Sequence, residues 1–351
     1  MIFDLYKFHQ SPAALNAALR HVSSVIAEGG KALIVADDAT IAFVQQAGLV
    51  SEFVRVRGLL HKLAALRDLA RSSGLRKVPL FVSHAVAFGP VALLLGRRFK
   101  LIYWCQGVVA AEMRLSGDRW HRILAMHLLE TYAILRADAV LAVSTQMANY
   151  WRGRLSRKSE VYVVPCAPRT GIIPGIVRRP MSFCYVGGAS PWQCIGKMLE
   201  IFQKIQECAP DCTLTVVTRD VDEFRSELQR AGLANSHSIC ITTLNGADEL
   251  SDFLSGIEFG FLLRDPHLVN AVSSPIKFGE YISCGVTPII SEGIGDYSEI
   301  LRNRGFRSVM SEGKPIMCEN FLARPDDALL LAKQLFSAEA CRSTYKSIIE
   351  G

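Results

Sequence analysis

The chain contains no Cys-x-x-Cys pair, no Gly-x-Gly-x-x-Gly run and no helix-turn-helix, RNP or zinc-finger pattern. The first absence argues against a zinc site. Ten cysteines are scattered along the sequence, and the nearest two, Cys208 and Cys212, have no matching second pair. The second disfavours a bound dinucleotide, and the third leaves no nucleic-acid partner to expect. No secretory signal peptide opens the chain, so the cysteines are expected as buried thiols in a reducing cytoplasm. Charge is also modest, at 21% of 351 residues against 50% hydrophobic. That balance suits two ordinary cores and excludes disorder.

A transmembrane helix is the next absence. The most apolar stretch, VPLFVSHAVAFGPVALLLG from Val78 to Gly96, is nearly long enough to span a bilayer. Pro79, Ser83, His84 and Pro90 interrupt it, and it divides into a short strand over 79–82 followed by a buried helix. What charge there is lies unevenly. Residues 1–165 carry 21 Lys/Arg against 11 Asp/Glu, a balance of +10, and the remainder carries 18 against 22, a balance of −4. The basic half includes Arg97, Arg98, Lys100 and the cluster Arg152, Arg154, Arg157 and Lys158. It suits an anionic membrane surface or acceptor rather than DNA.

Strand-like and helix-like pieces alternate throughout, which predicts parallel sheets covered on both faces. In the first half, strands are expected at 1–6, 31–36, 79–82, 100–104, 139–143 and 161–164. Helices are expected after the Ser11 cap with Pro12 at the first position, over 59–72 and over 119–135. Pro165, Pro168, Gly171, Pro174, Gly175 and Pro180 then crowd sixteen residues, too many for a helix or central strand. The expected organisation is a first domain over 1–165, a linker over 166–181, a second domain over 182–325 and a helical segment over 326–351 placed to cross back. Strands of the second domain are expected at 182–186, 214–217, 238–241, 259–263, 286–290 and 308–309.

The densest chemistry lies in RDPHLVNAVSSPIKFGEYISCGVTPIISEGIGD, Arg264 to Asp296. A Ser-Ser-Pro turn leads into a helix carrying Lys277 and Glu280 three residues apart, on one face. A helix N-terminus and an ammonium hold phosphate, while a carboxylate accepts hydrogen bonds from sugar hydroxyls. The bland reading of the same pair is an exposed salt bridge of little energetic weight. This stretch resembles the "SPxKxxEYLAxGxPVI" donor signature of GT-B glycosyltransferases, particularly the family-four-like enzymes of bacterial surface-polysaccharide pathways. Here it reads SPIKFGEYISCGVTPII.

Four further segments resemble the same family in the expected order: ADAVLAVSTQMANYW (137–151), VYVVPCAP (161–168), FCYVGGASPWQCIGKMLEIF (183–202) and GIGDYSEIL (293–301). The resemblance implies an α/β chain of the GT-B fold, two Rossmann-like domains with a central cleft. It also implies a transferase, of hexosyl type, that moves a sugar from a nucleoside diphosphate donor to a glycan or lipid-linked acceptor. The reaction would retain anomeric configuration and need no metal or other cofactor. The enzyme would be cytoplasmic, peripheral on the inner face of the membrane.

The residues expected at the donor are Gly187, Gly188, Gln193, Leu244, Arg264, Asn270, Ser273, Ser274, Pro275, Ile276, Lys277 and Glu280. Gly187-Gly188 after a strand would let backbone approach phosphate, and Arg264 ends a strand where ligands gather in open α/β sheets. Trp192 reads equally as cleft lining or as packing. In the first domain, CQGVVAAEM resembles a related subgroup's "QGVxPEE" and adds Gln106, Gly107 and Glu112. His9 and His84 follow strand ends. If the reaction inverts, His9, His84 or Glu112 is the candidate base.

Two departures keep other readings open. Many retaining family-four enzymes carry a first glutamate that would fall at Val272, and the first-domain glycine loop is replaced by KFHQSPAAL (7–15). The alternatives are a catalytically silent nucleotide-sugar-binding or scaffolding subunit, a sugar-nucleotide epimerase, and a two-domain sensor, which the missing signal peptide argues against.

Overall fold

The computed structural model describes residues 1–10, 12–48, 52–154, 159–310 and 321–350. Ser11, Arg157, Lys158 and Cys318 lie outside these. The chain forms two compact units, one of residues 1–165 with 338–351 and the other of residues 166–337.

The N-terminal unit is built on strands β1 (Ile2–Asp4), β2 (Leu33–Ala36), β3 (Glu52–Arg55), β4 (Val78–Val82), β5 (Phe99–Cys105), β6 (Ala139–Ala142) and β7 (Glu160–Val163). They make one sheet in the order β3-β2-β1-β4-β5-β6-β7. Every pairing is parallel; Ile2, for example, sits between Leu33 and Leu80. Its helices are α1 (Pro12–Ala27), α2 (Asp38–Gln46), α3 (Leu59–Ser72), α4 (Ala85–Leu95), α5 (Val109–Leu115), α6 (Trp120–Arg136) and α7 (Thr145–Arg152). Phe3, Ile34, Phe81 and Trp104 of the sheet pack under Leu15 and Val22 of α1. The last helix, Ala338–Glu350, joins the same core through Tyr345 and Ile348, and Arg342 pairs with Glu28 at 2.9 Å.

The C-terminal unit repeats the topology with β8 (Ser182–Val186), β9 (Thr213–Val217), β10 (Ile239–Thr242), β11 (Phe259–Leu262), β12 (Thr287–Ser291) and β13 (Val309–Met310), in the order β10-β9-β8-β11-β12-β13. Here too every pairing is parallel. The helices are α8 (Ile195–Cys208), α9 (Val221–Arg230), α10 (Ala247–Ser255), α11 (Leu268–Ala271), α12 (Ile276–Ser283), α13 (Tyr297–Asn303) and α14 (Pro325–Phe336). One core holds Phe183, Phe202, Leu214 and Phe261, and another holds Phe278, Tyr281, Ile282 and Phe336, so the sheet is covered on both faces. Continuous burial along β8, β11 and β12 explains why these strands read as unbroken apolar runs.

Several expectations need correction. β3 was not expected from the sequence; it is an edge strand, and Glu52 and Arg55 at its ends are exposed. The proline-rich stretch, expected as a linker between the domains, groups with the second unit and is tied to it by hydrogen bonds. Gly171 and Ile173 donate to Ser251 Oγ and Ser255 Oγ at 3.3 and 2.9 Å, and the Arg178 guanidinium donates to the Ile257 and Cys284 carbonyls at 2.7 and 2.6 Å. The C-terminal segment breaks at Ser337, so α14 packs on α12 in the second unit and only the last helix joins the first. Cys240 is exposed rather than buried, and Cys208 is disulfide-bonded rather than a free thiol. Among the described residues no helix is long and apolar enough to cross a membrane.

Candidate functional site

In each sheet the chain runs outward in one direction through three strands, then returns to the middle and runs the other way. Ligands of such sheets gather beyond the carboxyl ends of the strands at that reversal. In the C-terminal unit the reversal lies between β8 and β11. β8 runs into Gly187-Gly188, and β11 into Leu263 and Arg264.

Helix α12 is pinned to this point by Tyr281. Its hydroxyl accepts the Val186 amide at 3.1 Å and donates to the Phe261 carbonyl at 3.1 Å, tying the helix to both strands. Only glycine fits opposite the ring, because a Cβ on Gly260 would lie 2.7 Å from it. One turn earlier, Lys277 projects over the end of β8. Its Nζ donates to Gln193 Oε1 at 2.7 Å and Tyr185 Oη at 3.1 Å, and lies 4.3 Å above the centre of the Tyr185 ring. Gly187 has φ 139°, and a Cβ there would stand 2.3 Å from Lys277 Nζ. The glycine therefore supplies both the backbone conformation and the space for the ammonium.

The electrostatics of the cluster are one-sided. Arg264 Nη1 reaches the Trp192 carbonyl at 3.3 Å. Among the described residues, neither Arg264 nor Lys277 forms an ion pair with a carboxylate. Burial holds the Lys277 pKa well below that of an ordinary lysine; the Arg264 charge lowers it further and Glu280 opposes both. Burial likewise lowers Arg264. Two desolvated cations with no carboxylate in contact are costly to maintain and favour a bound anion. Glu280, three residues along α12, is 5% exposed. Its carboxylate has no hydrogen-bond donor among the described residues. Burial raises its pKa, while Arg169 and then Lys277 pull it back.

The sequence-predicted donor residues thus divide. Gly187, Gln193, Arg264 and Lys277 converge, with Glu280 on the same helix. The first turn of α12, Pro275 to Lys277, carries no side-chain cap. Ser274 is committed internally, bonded to Tyr297 Oη at 2.6 Å and accepting the Cys166 amide at 2.9 Å. Asn270 is a buried brace; its Nδ2 donates to the Asp265 carbonyl, and its own carbonyl accepts the Ser273 hydroxyl. Val272 is buried. Leu244 packs against the core beyond edge strand β10. Gly188 faces Asp220, whose carboxylate accepts the Ala189 amide at 2.8 Å. Tyr185, Asp220, Arg169 and Tyr281 were missed as site residues. Tyr185 and Tyr281 carry no motif of their own, and only the adjacent glycine pair and Lys277 hinted at more.

At the equivalent reversal of the N-terminal unit, between β1 and β4, the charge is already neutralised. Lys62 of α3 and Asp4 at the end of β1 form an ion pair at 2.6 Å, their side chains 1% and 2% exposed. His9 Nδ1 lies 3.0 Å from Asp37 and 3.2 Å from Thr40 Oγ1. The His84 ring packs on Phe8 at 5.0 Å, and burial lowers its pKa, against the pull of Asp4. Glu112 lies over Gly107, where a Cβ would meet its Oε1 at 2.2 Å, and burial raises its pKa. Gln106 Nε2 and Ser83 Oγ are buried without a hydrogen-bond partner among the described residues.

The site geometry meets its comparison in the solved structures. A sucrose-phosphate synthase from Thermosynechococcus elongatus is 13% identical over 100% of this chain and 98% of its own, with a TM-score of 0.70. HepE of Anabaena in complex with UDP is 14% identical over 99% of each chain, with a TM-score of 0.68. The fold is GT-B. A glycosyltransferase from Rickettsia africae ESF-5 gives a TM-score of 0.67 at 10% identity, over 100% of this chain and 98% of its own. No family model and no curated protein sequence matches the chain.

Proposed function

We propose that the protein is a glycosyltransferase that moves a sugar from a nucleoside diphosphate donor to a hydroxyl of a glycan or lipid-linked acceptor in surface-polysaccharide biosynthesis. The observation that carries this reading is the pair Lys277 and Arg264, two desolvated cations without a carboxylate partner at the sheet reversal. A diphosphate supplies the missing counter-charge. Glu280, buried and short of donors, suits the ribose hydroxyls. The solved neighbour bound to UDP supports uridine as the first nucleoside to test.

In this reading Lys277 and Arg264 stabilise the charge that develops on the departing diphosphate, the role a divalent metal plays elsewhere. The bond between anomeric carbon and phosphate oxygen breaks as the bond to the acceptor oxygen forms on the same face. The acceptor proton passes to the departing phosphate, and configuration is retained. An acceptor carried on lipid would hold the enzyme at the anionic cytoplasmic leaflet.

A panel of nucleoside diphosphates and their sugars, screened for thermal stabilisation with and without EDTA, tests the reading. At least one diphosphate should raise the melting temperature, and EDTA should leave the shift unchanged. No shift with any of them, or one that requires metal, would refute it.

A further inference from the structure

Helix α4, AVAFGPVALLL, contains no polar side chain, yet only one side of it is buried. Ala85, Phe88, Val91, Ala92 and Leu95 face inward, while Val86, Leu93 and Leu94 are exposed, the last two at 74% and 64%. A soluble helix ordinarily presents polar groups on its outer face. Helix α6 packs beside it, with Leu129 against Gly89, and repeats the anomaly. Trp120, Leu124, Leu128 and Leu135, spaced by four, four and seven residues, fall on one stripe. All four are exposed, Trp120 at 74%. The only acid on either helix, Glu130, is buried and accepts the Val109 and Ala110 amides.

The two helices meet at a basic cavity. Leu93, Leu94, Arg97, Arg98 and Arg136 line a space of about 650 Å³. None of the three arginines pairs with a carboxylate among the described residues. Of the other basic groups expected to form such a surface, Lys100 faces Glu160 at 3.6 Å, and Arg154 lies over the Tyr150 and Trp151 rings.

We propose that the face formed by α4 and α6 docks on an anionic lipid bilayer. Trp120, Leu124, Leu128, Leu93 and Leu94 enter the boundary between headgroups and acyl chains, and Arg97, Arg98 and Arg136 take a lipid phosphate. Exposed apolar stripes rimmed by unpaired arginines match the two chemistries of that boundary. The inference deepens the proposed function by naming the surface that meets the membrane. It is read out separately from nucleotide binding, so either can fail alone.

Flotation with vesicles of phosphatidylcholine, alone or mixed equally with phosphatidylglycerol, tests it. The wild type should float with the mixed vesicles only, less so as salt rises, with a blue shift in tryptophan emission. Trp104 and Trp151 are buried and Trp192 belongs to the other unit, so Trp120→Phe should abolish the shift and keep most of the binding. Replacing Arg97, Arg98 and Arg136 by Ala should weaken binding about a hundredfold. Leu124→Asp with Leu128→Asp should abolish it, with stabilisation by nucleotide unchanged. Failure to bind either vesicle overturns the proposal, as does an emission shift that survives Trp120→Phe. So does self-association that the Leu→Asp exchanges abolish while vesicle binding persists.

Discussion

The two units share a strand order but differ in how they treat charge at the reversal of the sheet. In the N-terminal unit, Lys62 and Asp4 cancel each other inside the protein. In the C-terminal unit, Lys277 and Arg264 are left with neutral partners, Gln193, Tyr185 and the Trp192 carbonyl. The same fold therefore carries a self-neutralised pair in one half and an unmet cationic pair in the other. A buried ion pair loses heavily when one partner is removed, whereas a buried cation with no counter-charge costs stability by its presence. On the proposed reading, the difference separates a structural lysine from a binding one.

The largest effect should come from breaking the neutral half. Lys62→Met leaves Asp4 buried and unpaired and should cost about 3–5 kcal/mol in chemical denaturation. A loss below 1 kcal/mol would mean that water reaches Asp4 and that the contrast between the halves is overstated. Glu280→Gln should sharpen the other side. It removes a buried charge that lacks donors, so the free protein should be no less stable. Affinity for the nucleoside diphosphate, followed by calorimetry, should fall roughly ten- to a hundredfold, an interaction of about 1.5–3 kcal/mol. Unaltered affinity would remove Glu280 from the site.

The smallest effect concerns Glu130, which leans on the Val109 and Ala110 amides rather than on a cation. Burial pushes its carboxyl up to about 7, the two amides and then the charge of Glu112 being the lesser influences. The folded protein thus holds this proton more tightly than the unfolded chain does. The stability it contributes is complete below the ordinary value of 4.5 and is lost as pH rises through about 7. The wild type should therefore lose ground against Glu130→Gln between those limits and hold level outside them. A parallel pair of stability curves would contradict this.

Much of the fold was legible because parallel strands buried on both faces leave unbroken apolar runs, as in Ser182–Val186 and Thr287–Ser291. β3 escaped because an edge strand needs charge at its ends and so loses that signature. The proline-rich stretch was read correctly as neither helix nor strand. Nothing in its composition announced that Ser251, Ser255 and Arg178 would hold it to the second unit. At the site, Lys277 and Glu280 at i and i+3 read as sharing one helix face, and the bland reading made them an exposed salt bridge. Tyr185 and Gln193, some ninety residues earlier, capture the ammonium instead. Spacing along a helix shows which side chains share a face, but not what a strand from elsewhere in the sheet offers them.

The central claim is that Lys277 is kept for an anion rather than for the fold, and Lys277→Met tests it in one experiment. Thermal denaturation with and without the stabilising nucleoside diphosphate reads both consequences. The account predicts a free protein at least as stable as the wild type, with affinity for the diphosphate weakened about ten- to a hundredfold. A variant destabilised on the scale of Lys62→Met that binds the diphosphate as before would contradict it.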